Sequence, residues 1–241
     1  MRCTYRLQLG PGLGFAQVGE LVPYLQRLGV SHLYLSPSLQ ARRGSTHGYD
    51  VVDPTRLSDE LGGEEGFAAL AAAAAAAGLG IVLDIVPNHM GTGEENRWWA
   101  DPELRERFFD LDPVGGGYRR FFDIDDLAAI RQEDDLVFET THRRVLSLVA
   151  DGLVDGLRVD HPDGLADPAG YLRRLRAEGV ERVWVEKILH PGEALRDWPV
   201  SGTVGYEFLD DVCALFVDPA GCAPLGRLLA EFAGDDESFA S

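Results

Sequence analysis

The sequence predicts an α/β fold in which parallel strands are joined by crossover helices. Two observations predict it. Short apolar runs alternate with segments of helical spacing along most of the chain. Those runs are apolar throughout, as strands buried on both faces should be.

The elements follow in order. TYRLQL (4–9) reads as the first strand, and VGELVPYLQRLG (18–29) as a helix that stops at Gly29. SHLYLSP (31–37) is the second strand, ended by Pro37. Ala71 to Ala77 belong to a surface helix beginning near Glu64, since alanine has the best helix propensity, and Gly78 and Gly80 supply the stop. GIVLDIVP (80–87) is the third strand. HRRVLSLVADG (142–152) has helical spacing and VDGLRVD (154–160) is the fourth strand. AGYLRRLRAEG (169–179) is a helix and RVWVEKI (182–188) the fifth strand, and GTVGYEFLDDVCALF (202–216) starts a sixth unit. Residues 90–130 break the rhythm with Trp98, Trp99, Phe108, Phe109, Phe121 and Phe122 among glycines and acids. Such an insertion is either a functional loop or a loop with its own small core.

Composition narrows the function. With 45% hydrophobic residues the chain folds as a globular protein. A net charge of −18 disfavours a nucleic acid or an anionic membrane as partner, and a neutral substrate is the default. Cys3, Cys213 and Cys222 have no metal-ligand spacing; a sparse, odd count fits reduced thiols and a cytoplasmic location. The N-terminal MRCTYRLQLG has no apolar run of the kind a signal peptide needs, and the alanine stretch is too short to span a bilayer.

In parallel α/β folds the active site lies at the carboxyl ends of the strands. Here the third strand ends in Asp84 to His89, the fourth in Arg158, Asp160 and His161, and the fifth in Glu186 and Lys187. One such group is ordinarily an ion pair or a cap; three successive strands ending this way point to a site. Residues two apart on a strand share a face, so Arg158 and Asp160 point the same way. The guanidinium should lower the Asp160 pKa and suit it to nucleophilic attack. Trp184, Val183 and Val185 give Glu186 apolar surroundings, which should raise its pKa and keep a proton available. Two carboxyls with oppositely shifted pKa values are what glycoside cleavage needs, roughly 5 to 5.5 Å apart where configuration is retained.

The motifs DIVPNH (84–89), GLRVDH (156–161) and VWVEKI (183–188) resemble three consecutive signature regions of the α-amylase superfamily of glycoside hydrolases and transglycosylases. GSTHGYD (44–50) resembles its sugar-stacking loop. Within the superfamily, HLYLSPSLQARRGSTHGYDVVDP, YRRFFDIDDLAAIRQED and DGLRVDHPDGLADPAGYLRRL, in this order, resemble the maltooligosyltrehalose synthases. The resemblance implies a (β/α)8 barrel of TIM type, of which this chain carries the first five to six units. Residues 1–89 and 141–241 would belong to the barrel, and 90–140 would be a shortened insertion after the third strand. It implies Asp160 as nucleophile and Glu186 as general acid/base, with Arg158 orienting Asp160 and Asp84 bracing Arg158. His89 and Tyr49 would hold the sugar, Tyr49 by stacking, with His47 and His161 as further substrate contacts; His47 has the alternative of shaping its loop. Asn88 sits where many amylases bind calcium, but no metal or cofactor requirement carries over.

The implied partner is a maltooligosaccharide with a free reducing end, whose last α-1,4 linkage is rebuilt as an α,α-1,1 linkage. The alternatives are an α-1,4-glucan hydrolase of the same superfamily and a non-catalytic glucan-binding remnant. Two departures from the family stand out. The insertion is short, and too few residues follow Glu186 for three more units of on the order of 30 residues each. The family's third catalytic carboxylate has no match, since Asp210, Asp211 and Asp218 lie in no corresponding motif. The chain is therefore expected to be an N-terminal portion of the enzyme, ending in an acidic tail, with exposed barrel edges that favour self-association.

Overall fold

The structure is a computed structural model and describes residues 1–112 and 114–234. The tip of the acidic tail, 235–241, lies outside the described residues. The chain divides into two compact units, one of Met1–Lys187 with Leu195–Val204, the other of Ile188–Ala194 with the described residues from Gly205 onward.

In the first unit the elements run β1 (Thr4–Leu7), α1 (Phe15–Leu28), β2 (His32–Leu35), β3 (Leu39–Ala41), β4 (Val51–Leu57), α2 (Gly63–Ala76) and β5 (Gly80–Ile85). The insertion follows as β6 (His89–Gly91), α3 (Arg97–Ala100), α4 (Pro102–Phe108), β7 (Arg120–Phe121) and β8 (Ile124–Ala129). Then come α5 (Asp135–Ala150), β9 (Gly156–Val159), α6 (Pro168–Ala177), β10 (Val183–Val185) and β11 (Gly202–Thr203). The second unit contributes α7 (Tyr206–Ala214) and α8 (Cys222–Ala233), neither of which has a buried residue.

Six strands pair in parallel in the order β1-β2-β5-β9-β10-β11. This curled sheet, with a helix between each pair of successive strands from β1 to β10, is the first part of a (β/α)8 barrel. The expectation that its strands are apolar on both faces is corrected. Leu33, Leu35, Ile81, Leu83, Leu157, Val159, Val183 and Val185 pack with Phe15, Val18, Leu70, Leu148 and Leu172 of the helices in one core. The residues between them, Tyr34, Val82, Arg158 and Trp184, line a cavity of about 230 Å³ on the other face. Alternation therefore separates a dry helix-facing side from a polar inner side, which a strand of four residues hides in the sequence.

Two antiparallel pieces add to the barrel. β3 pairs with β4, and the loop between them carries Tyr49. β6, β8 and β7 form a small sheet in the insertion. Met90, Trp98, Phe108, Phe109, Ala128, Ile130 and Val137 build a separate core there, with Trp99 packed against it. The insertion thus answers to both readings: Trp98, Trp99, Phe108 and Phe109 are its own core, while Phe121 and Phe122 reach the strand ends. Helix α5 starts one turn and more before His142, because Asp134 caps it by accepting from the backbone N–H of Leu136 and Val137. Among the described residues no single helix is long and apolar enough to cross a membrane.

Candidate active site

Register brings the predicted residues together. Asp84 on β5 lies opposite Arg158 on β9, and Arg158 lies opposite Trp184 on β10. Paired residues of a parallel sheet share a face, so these side chains form one layer of the inner wall. Asp160 and Glu186 stand one layer higher, just beyond β9 and β10.

Arg158 is the hub. Its Nη1 donates to Asp84 Oδ1 at 2.8 Å and to Asp160 Oδ1 at 2.7 Å, and its Nη2 lies 3.1 Å from Glu186 Oε1. The arginine and both aspartates are almost wholly buried, and the Glu186 side chain is 24% exposed. A buried arginine among three carboxylates is held charged, its pKa raised chiefly by Asp84 against the opposing effect of burial.

The electrostatics overturn the sequence expectation for Asp160. Asp160 is pushed up to about 7, because burial and the neighbouring charges of Asp84 and Glu186 outweigh the help of Arg158. One guanidinium serves three carboxylates, so none receives the full benefit of an isolated pair. Glu186 is not in apolar surroundings either: besides Arg158, its Oε2 accepts the backbone N–H of His161 at 3.1 Å. Asp84 is raised by burial, opposed by Arg158 and by hydrogen bonds from Tyr49 and Tyr34.

The loop residues divide by role. Tyr49 donates its hydroxyl to Asp84 Oδ2 at 2.7 Å. It is placed by Gly48, whose φ of 79° and whose absent Cβ, 2.6 Å from the Pro37 carbonyl oxygen, admit only glycine. His47 is half exposed, accepts the Tyr49 backbone N–H at 3.1 Å and stacks on its ring, so it shapes the loop. His89 is buried with its ring stacked on Phe121 at 4.0 Å, and its Nε2 has no partner. Burial pushes its pKa down to about 3, so the ring is neutral. His161 adopts a left-handed backbone, φ 43°, which turns its N–H toward Glu186 and its ring toward Phe121 and Phe122. Asn88 is buried beside His89, and its Oδ1 has no partner. That is a single oxygen where calcium takes six to eight, and among the described residues no group of three or more His, Cys, Asp or Glu could hold a metal.

Two residues escaped the sequence reading. Tyr34 on β2 donates to Asp84 Oδ2 at 3.1 Å, and Arg6 on β1 donates to Tyr49 Oη at 3.2 Å. Applied to TYRLQL and HLYL, the two-residue alternation that paired Arg158 with Asp160 would have marked both as inner-face side chains.

Residues 15–110 match the family model of the α-amylase catalytic domain. A Mycobacterium tuberculosis (strain H37Rv) protein named "Putative maltooligosyl trehalose synthase" is 41% identical over 97% of this chain and 40% of its own length. The solved maltooligosyltrehalose synthase of Arthrobacter ramosus superposes with a TM-score of 0.92 at 38% identity, over 100% of this chain and 42% of that one. Over its whole length the chain is similar to maltooligosyltrehalose synthases, and part of it matches the α-amylase catalytic domain. It spans about two fifths of the length of these relatives. Against the synthase family, the match runs through every strand end described above, since the structural alignment covers the whole chain.

Proposed function

We propose that this chain carries the nucleophile and the acid/base of an intramolecular glycosyl transfer that turns the reducing-end α-1,4 linkage of a maltooligosaccharide into an α,α-1,1 linkage. The observation that carries the reading is the single guanidinium of Arg158 holding Asp84, Asp160 and Glu186 at the ends of three successive strands. Residues 1–89, 141–187 and 195–204 serve as barrel, and the insertion between them as the wall that brings Phe121 and Phe122 to the cleft.

Asp160, steadied by Arg158, attacks the anomeric carbon and forms a covalent glycosyl-enzyme. Glu186 protonates the glycosidic oxygen that leaves. Asp160, pushed up to about 7 chiefly by burial, retains part of its proton near neutral pH. Transfer of that proton to Glu186, held by the same guanidinium, leaves Asp160 ionised for attack. Neutral His89, with a free buried Nε2, hydrogen-bonds a sugar hydroxyl, while Tyr49 stacks under the ring and Asp84 braces Arg158. The released glucose turns in place, and its anomeric hydroxyl attacks the intermediate with Glu186 as base. Two inversions retain the configuration of the donor carbon.

A second reading is α-1,4-glucan hydrolysis, favoured by the partial exposure of Glu186, which gives water a path to the intermediate. Incubation with maltopentaose separates the two: isomerisation removes reducing ends, whereas hydrolysis adds them. Binding followed by Trp fluorescence with no change in reducing ends would leave only a glucan-binding role.

A further inference from the structure

Resting on the transferase reading, we infer that Arg6 is a positioning residue that fixes the Tyr49 hydroxyl as a donor to Asp84 and thereby holds Arg158 and its carboxylates in their working arrangement. The argument is one of hydrogen inventory. A guanidinium has donors only, and a phenol has one hydrogen. Arg6 Nη2 lies 3.2 Å from Tyr49 Oη, so Arg6 donates and the phenol oxygen accepts. The one hydrogen of Tyr49 is then directed at Asp84 Oδ2, 2.7 Å away. Tyr34 supplies a second donor to the same oxygen at 3.1 Å, and Asp84 Oδ1 takes Arg158 Nη1 at 2.8 Å. Arg6 is itself oriented by Gln8 Oε1 at 2.9 Å and by the Tyr34 ring, whose centre lies 5.6 Å from the guanidinium carbon.

The result is a continuous run of donors from β1 to β9. Without Arg6 the Tyr49 hydroxyl is free to turn to solvent or to a sugar. Asp84, buried and with one donor fewer, then holds its charge less well and its grip on Arg158 loosens. Arg158 in turn faces Asp160 and Glu186, and His161 flanks Glu186 through its backbone. With its oxygen and hydrogen both engaged, Tyr49 offers a sugar its ring face rather than its hydroxyl.

The test uses the 241-residue chain and the variants Arg6→Met, Arg6→Lys and Tyr49→Phe. The Asp160 carboxyl is followed by carbon-13 NMR, its signal assigned with Asp160→Asn. Arg6→Met is expected to move the Asp160 titration downward by about one pH unit, because an Asp84 that holds its charge less well presses less on Asp160. Arg6→Lys should restore most of the shift, and Tyr49→Phe should reproduce it, giving a second route if the methionine variant folds poorly. A merely structural role would not move this titration and be rescued by lysine. Titrations of Arg6→Met and Tyr49→Phe that superimpose on that of the unaltered chain would overturn the inference. Maltopentaose binding is measured alongside, with about tenfold weakening expected in Arg6→Met, or roughly 1.4 kcal/mol. Failure of the unaltered chain to bind maltopentaose would count against the transferase reading, while the carboxyl titration would still decide the role of Arg6.

Discussion

At the residue scale, the Asp160 carboxyl sits where folding penalises its charge. Its pKa is raised from 3.8 to about 7, chiefly by burial. In the unfolded chain it ionises near the ordinary aspartate value, so below that value both states are protonated and the group costs nothing. As pH rises toward 7 the unfolded state loses its proton first, and the folded state loses stability relative to it. Asp160→Asn removes this dependence. The variant is expected to melt several degrees above the unaltered chain at pH 8, with the gap closing toward pH 4; thermal unfolding at several pH values checks it. With substrate present, Asp160→Asn should abolish turnover and leave maltopentaose binding nearly unchanged, because stacking and most hydrogen bonds remain. Tyr49→Phe keeps the ring but removes a donor to a buried carboxylate, a loss of about 1.5 to 3 kcal/mol. Urea unfolding of that variant should show a lower midpoint with an unchanged slope. The pairing of Arg158 with Asp160 was legible because both lie on one strand, two residues apart. The direction of the Asp160 shift was not, because Asp84 and Glu186 press on it from neighbouring strands that sequence spacing does not place.

At the scale of elements, the parallel strands were readable and the short antiparallel ones were not. GIVLDI and GLRV are apolar runs bounded by glycine and charge, whereas β3 has three residues and β7 two, too few to show a period. The turn that seats His161 was equally hidden: a Cβ at Gly164 would collide with Asn88 and His161, a contact between β5's end and β9's end that only the fold creates. The helices α5 and α6 are joined by a buried histidine. His142 Nδ1 donates to the Phe138 carbonyl at 3.1 Å, so its Nε2 accepts the Tyr171 hydroxyl at 2.7 Å. Complete burial pushes its pKa down to about 4. The unfolded chain therefore takes up a proton below about 6.5 that the folded chain resists, and stability is lost as pH falls from there to about 4. His142→Gln keeps a donor and an acceptor without titrating. Its stability should fall less steeply over that window, measured by chemical unfolding; equal slopes for both chains would remove His142 as the cause.

At the scale of the whole molecule, the net charge of −18 suits a neutral sugar, whose binding should respond little to added salt. In the six-stranded sheet β1 and β11 are the end strands, each paired on one side among the described residues. Unpaired strand edges are templates for association. Sedimentation velocity is expected to show concentration-dependent oligomers, and a monomer across the accessible range would contradict this. The chain spans 40% of the length of its Mycobacterium tuberculosis relative, yet it brings Asp84, Asp160 and Glu186 onto one arginine without any residue beyond Glu186. The central claim is that this cluster performs covalent glycosyl transfer from Asp160. Its most direct test is to treat the 241-residue chain with a 5-fluoro-α-glucosyl fluoride, whose good leaving group needs no acid and whose glycosyl-enzyme turns over slowly, and to locate the label by peptide mass spectrometry. The account predicts a single glycosylated peptide modified at Asp160 and absent from Asp160→Asn. A label on Glu186 or Asp84, or no label at all, would contradict it.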